Sequence, residues 1–120
     1  GSMVEEDETM MEEGQRYLDY SPEAFVAANS TRRVLFFHAN WCPTCGPADV
    51  SFIEGMEKIP SDVTVFKVDY NDTETDQLEE DLAEEYGVTY QHTFVQVDEG
   101  GKDVVRWNGG GLDEMLDKIQ

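Results

Sequence analysis

The order of strand-like and helix-like segments predicts an α/β fold: a three-layer α/β/α sandwich around a mixed, five-stranded central sheet, in the order βαβαβαββα. Three observations carry this. The run RVLFFHA, residues 33–39, is apolar on both faces, as a central buried strand must be. Strand and helix patterns alternate through most of the chain, and two alternating segments split by the turn DEGG close it as a hairpin.

The elements follow in order. YLDY, residues 17–20, is short and aromatic and suits an edge strand. In SPEAFVAAN, Ser21 reads as an N-cap and Pro22 as the first helical residue. After the central strand comes NWCPTC, then a helix in which Val50, Ile53, Met56 and Ile59 recur at helical spacing. Pro43 suits the first turn of that helix, while Pro47 beside Gly46 predicts a kink or a restart. VTVFKVDY alternates as a strand, with Val63, Val65, Lys67 and Asp69 opposite Thr64, Phe66, Val68 and Tyr70. A helix follows with Leu78, Leu82 and Tyr86 on one stripe and Gly87 at its end. HTFVQVD and KDVVRW form the hairpin, and a last helix from about Gly111 places Leu112, Met115, Leu116 and Ile119 on one face.

At 120 residues the chain suits a single domain, expected over residues 16–120. Residues 1–15 read as a vector-derived GSM scar followed by an acidic leader or tether. Eight basic residues against 27 acidic ones give a formal net charge of −19, which argues against nucleic-acid or anionic-membrane partners, since both would be repelled. A monomer is expected. No apolar run approaches the roughly 20 residues that span a bilayer.

The two cysteines, Cys42 and Cys45, are three apart, which excludes a structural disulfide framework and leaves a redox or metal unit. A Cys-x-x-Cys pair opening a helix has a physical logic. Unpaired N–H groups and the helix dipole stabilise negative charge on the first sulfur, so Cys42 is the expected nucleophile. Cys45, one turn in, is expected to be more buried and to resolve the mixed disulfide.

VLFFHANWCPTC followed by a helix, then FKVDYND, YGV and a hairpin, resembles the thioredoxin family from about Tyr17 to the end of the chain. The resemblance implies the thioredoxin fold and a thiol–disulfide oxidoreductase acting on protein thiols or disulfides with a redox partner, needing no cofactor beyond the Cys42–Cys45 pair. It places Trp41 beside the site and Gly109 in the substrate groove. FFHA with WCPTC and an acidic lead looks most like membrane-tethered or exported bacterial domains of this family, so an extracytoplasmic setting is expected, with a cytoplasmic one as the alternative.

The chain departs from the family in three places. The family's buried aspartate beneath the resolving cysteine falls on Phe36, which leaves its partner lysine, Lys67, either solvated or turned toward the thiols. The residues between the cysteines are Pro43 and Thr44, which tune redox poise in a direction the sequence does not give. Thirdly, His92 occupies the slot where the family keeps a cis-proline, with Thr93 after it. A non-proline cis bond costs about 2.5–4 kcal/mol, so the Gln91–His92 bond is expected to be trans, with Gln91 still offering backbone groups to an extended substrate.

An imidazole there faces the thiols, and three roles follow: thiolate partner, proton shuttle or metal ligand. In the last case Cys42, Cys45 and His92 would take Cu(I), or Zn(II) with a fourth ligand, a set that resembles the Sco copper chaperones despite their longer cysteine spacing. His38 is expected to be a core-edge histidine hydrogen-bonded to backbone. The acidic helix lacks calcium-loop spacing, the run of three glycines lacks a phosphate-binding lysine, and the methionines read as core or leader.

Overall fold

The computed structural model describes residues 16–120, so the acidic leader lies outside the described residues. Five strands, β1 (Tyr17–Asp19), β2 (Arg32–His38), β3 (Val63–Asp69), β4 (Thr93–Val97) and β5 (Asp103–Asn108), form one sheet in the order β1-β3-β2-β4-β5. β1 and β2 run parallel to β3, whereas β4 is antiparallel to β2 and β5 to β4. Four helices complete the expected order: α1 (Pro22–Ala27), α2 (Cys45–Glu54), α3 (Gln77–Glu85) and α4 (Leu112–Lys118). None of them is long and apolar enough to cross a membrane.

Local chemistry explains the helix ends. The Ser21 hydroxyl accepts from Ala24 N at 3.1 Å with Pro22 as the first helical residue. Asp76 and Glu79 make a reciprocal capping box at α3, and Gly87, at φ +64°, follows its last turn. The N-cap of α2 is Thr44, yet its side chain caps nothing. Its hydroxyl is engaged elsewhere, as described below.

Alternation along β2 and β3 divides the core in two. Val34, Phe36, Val63 and Val65 pack under α2 and α4 with Phe52, Leu112 and Met115. Leu35, Phe37, Phe66 and Val68 pack on the other face with Leu82 and Ala83 of α3 and Tyr86 at its C-cap. Under α2 the rings stack: Phe36 lies on Phe94 at 4.5 Å between centroids, and Phe94 on Trp107 at 5.1 Å. This stack is the floor of the cysteine site.

Several helix faces differ from the periodicity reading. α2 begins at Cys45, after Pro43, and its buried residues are Cys45, Ala48 and Phe52. That rotation turns Val50 and Ile53 to solvent, 47% and 55% exposed. Pro47 neither kinks nor restarts the helix, because it falls in the first turn, where no intrahelical N–H bond is lost. In α3 the core side is Glu79, Leu82 and Ala83, while Leu78 is exposed. Glu79 is buried, and its two oxygens accept the backbone N–H groups of Asp69 and Asp76. In α4, Leu112 and Met115 are buried, and Leu116 faces solvent.

Candidate active site

The carboxyl end of β2 delivers the chain into a tight turn in which Cys42 N donates to Ala39 O at 3.1 Å, and α2 starts three residues later. Both thiols are free and buried, Cys42 with 6% exposure and Cys45 with none. Burial pushes the Cys42 thiol up, but hydrogen bonds from Cys45, the Thr44 hydroxyl and the backbone N–H groups of Thr44 and Cys45 outweigh it and hold it below its ordinary value. Cys45 is pushed up to about 12, chiefly by burial, with the charge of Cys42 adding to it. The two thiols thus differ in setting: Cys42 is the more readily ionised and Cys45 is held protonated. Trp41 lies half-exposed over the turn and donates from Nε1 to Asn71 O at 2.8 Å.

His92 reaches this pair through Thr44. Thr44 Oγ1 lies 3.5 Å from Cys42 Sγ and 2.8 Å from His92 Nδ1, while His92 Nε2 is 2.7 Å from Gly110 O. A carbonyl can only accept, so Nε2 carries the proton, and in the neutral ring Nδ1 accepts from the Thr44 hydroxyl. Thr44 then accepts from the Cys42 thiol while that thiol is protonated; once the sulfur is ionised, the same contact runs from the Thr44 hydroxyl to the thiolate.

The backbone that holds His92 is unusual. His92 sits at φ +62°, a left-handed conformation sparsely used by non-glycine residues, with all described peptide bonds trans as expected for Gln91–His92. It is fixed there by His92 N donating to Phe37 O at 2.7 Å and Gly109 N donating to His92 O at 2.9 Å. Gly109 and Gly110, at φ +91° and +82°, form the turn that brings the Gly110 carbonyl beneath the imidazole. Thr93 Oγ1 donates to Tyr90 O at 2.8 Å, and Gln91 O accepts from the Asn108 side chain at 3.0 Å. Gln91 therefore offers a substrate less free backbone than expected.

Lys67 corrects one expectation. It has a carboxylate partner after all, Asp49 of α2, at 3.4 Å, and the other oxygen of Asp49 accepts from the Tyr17 hydroxyl at 2.5 Å. Asp49 lies one helical turn beyond Cys45 on the same side of the helix. Tyr17 is pushed above the ordinary phenol range by burial first and by Asp49 next, and the charge of Cys45 contributes. Lys67 thus keeps a carboxylate partner, supplied by the helix one turn beyond Cys45. His38 also departs from expectation: it is 8% exposed, and its buried Nδ1 has no hydrogen-bond partner among the described residues.

A dithiol at the amino end of a helix, on a mixed five-stranded sheet with helices on both faces, defines the class as an α/β dithiol protein. The thioredoxin family model matches residues 18–120, and the chain belongs to that family. A solved thioredoxin from Fasciola hepatica is 28% identical, with 79% of this chain and 85% of that one covered and a TM-score of 0.62. Thioredoxin NaTrxh from Nicotiana alata is 26% identical over 88% of this chain and 90% of its own, at TM-score 0.63. The long form of spinach chloroplast thioredoxin f shares the fold at TM-score 0.69 and 24% identity, over 91% of this chain and 88% of that one. A search of curated proteins finds no match.

Proposed function

We propose that the protein exchanges disulfides with protein substrates through Cys42 and Cys45. The observation that carries this reading is the opposed setting of the two thiols, one held below and one well above the ordinary range at a helix start. The Cys42 thiolate attacks one sulfur of a substrate disulfide, a new S–S bond forms, and the substrate's other sulfur leaves with the electron pair and takes a proton. Cys45 then loses its proton and attacks Cys42 Sγ, so the second substrate sulfur leaves and Cys42–Cys45 becomes the disulfide. Run backwards, the same steps oxidise a substrate dithiol.

The proton movements are assigned to this chain's own groups. On ionisation the Cys42 proton passes to Thr44 Oγ1 as the Thr44 proton passes to His92 Nδ1. The product is a thiolate that accepts from Thr44, which in turn accepts from an imidazolium. For Cys45 we assign the acceptor to Asp49, one helical turn further along α2 and held by Tyr17 and Lys67. A protein substrate and an extracytoplasmic setting remain parts of this proposal, with the family resemblance as their support.

The relay is tested by the pH dependence of Cys42 alkylation. Thr44→Val and His92→Gln should each move the rate profile to higher pH, the double variant should move it no further than the larger single shift, and Thr44→Ser should restore it. Additive shifts, or none in Thr44→Val, would remove the relay while leaving the exchange reaction standing.

A second reading is favoured by one distance: the Cys42 and Cys45 sulfurs and a ring nitrogen of His92 lie within 4.8 Å of one another. Two thiolates and an imidazole suit Cu(I), or Zn(II) with a fourth ligand, although His92 would have to exchange its Thr44 bond for the metal. Anaerobic titration with Cu(I) should then give one ion per chain in the wild type and weaker binding in His92→Pro. Equal binding in both removes His92 from the set.

A further inference from the structure

A second set of ligand-type side chains converges where β2 and β3 end. His38 closes β2 and Asp69 closes β3 in direct register, so their side chains leave the sheet on the same face. Asp72 comes from the loop that follows. A ring nitrogen of His38 and one carboxylate oxygen each of Asp69 and Asp72 lie within 4.8 Å of one another. Around a single ion bonded at about 2.0–2.2 Å, such donors are about 3–4 Å apart, within reach of a small side-chain rotation.

Two of the three members are left in a state that a cation would relieve, and the third is already held in place. His38 is buried, with Nδ1 unpartnered among the described residues, and the edge of its ring meets Phe36 at 5.5 Å between centroids, which orients the imidazole. Burial first, and the charge of Lys67 next, hold its pKa down, although Asp49 and Asp72 oppose this, so the ring is available as a neutral ligand. The Asp69 carboxyl is raised by burial and then by the charge of Asp72. Asp72 is already fixed in place: Oδ2 accepts from Asn40 N at 2.8 Å, and Oδ1 accepts from Glu74 N at 2.9 Å and from the Thr75 hydroxyl at 3.1 Å. Lys67 is a nearby cation that opposes binding, and its ammonium is paired with Asp49.

We propose that His38, Asp69 and Asp72 form a binding site for a divalent transition-metal ion, Zn(II) or Mn(II), completed by water. One imidazole with two carboxylates suits these ions, whereas Cu(I) favours thiolates and Ca(II) an all-oxygen set. The metal would tie together the ends of β2 and β3 and the 71–75 loop. That loop also holds the redox turn, through Asp72 to Asn40 N and through Asn71 O to Trp41 Nε1. Such an ion therefore stiffens the segment carrying Cys42 without touching either sulfur.

The test uses the Cys42→Ser/Cys45→Ser protein, in which no thiol can bind metal and the redox reading plays no part. Calorimetric titration with zinc chloride and with manganese chloride should show one saturable site for at least one of them, with a Tm that rises with ion concentration. Adding His38→Phe, which keeps a ring against Phe36, or Asp69→Asn, which keeps the backbone N–H bond to Glu79, should each weaken binding at least fivefold while the metal-free Tm shows both variants folded. The Asp69→Asn variant decides alone if His38→Phe does not fold. Absence of saturable binding of either ion in the parent, or a change below fivefold in a folded variant, overturns the site.

Discussion

Cys42→Ser reduces disulfide exchange to the uncatalysed background, and Cys45→Ser converts the protein into a trap that accumulates mixed disulfides with its substrates. The two outcomes differ because the two sulfurs do different work. A serine hydroxyl supplies no nucleophile at neutral pH and cannot form an S–S bond, so nothing replaces Cys42. Cys45 is fully buried with its thiol pushed up to about 12, so it stays out of the first step and is needed only to release the covalent intermediate. Mass spectrometry under non-reducing conditions reads both results. Persistent turnover in Cys45→Ser would show that a second substrate thiol or an outside thiol resolves the intermediate. Both substitutions change a single atom, so the fold is expected to survive.

The largest effect on stability is expected from Phe36→Ala. Phe36 has no exposed surface, stacks on Phe94, and contacts Phe52, His38 and His92 across ring edges. Removing a buried phenyl ring costs about 3–5 kcal/mol, part lost transfer energy and part cavity. For a domain of this size that corresponds to a fall in Tm of roughly 10 °C or more. Because Phe36 also floors the site under His92, the variant should move the pH profile of Cys42 alkylation upward as His92→Gln does, along with losing stability. A Tm within about 2 °C of the wild type would contradict the stacked core described here. In this chain the ring at position 36 is structural, and the carboxylate that pairs with Lys67 comes from Asp49.

That pairing shows what a sequence can and cannot reveal. The order of elements along the chain, both faces of β3 and the helix-opening dithiol were legible, because alternation and a Cys-x-x-Cys at a strand–helix junction are local signals. Asp49 was not. On an acidic chain one more aspartate on an amphipathic helix looks solvated, and only the start of α2 at Cys45 turns it toward Tyr17 and Lys67. The same shift of the helix start sent Val50 and Ile53 to solvent. His92 was legible as a residue facing the thiols, but its route through Thr44 was hidden, because an N-cap threonine normally spends its hydroxyl on its own helix. Paired spacing of Cys45 and Asp49 at i, i+4 was the available signal for the missed carboxylate.

The most direct test of Cys42 and Cys45 as one redox pair is their redox equilibrium, measured in glutathione buffers of graded ratio with the disulfide state read by mass. A single two-electron transition to an intramolecular disulfide is expected, with a midpoint between about −270 and −120 mV, and one whose pH dependence changes in His92→Gln. Two thiols that oxidise independently, or that form no bond to each other at any ratio, would contradict it.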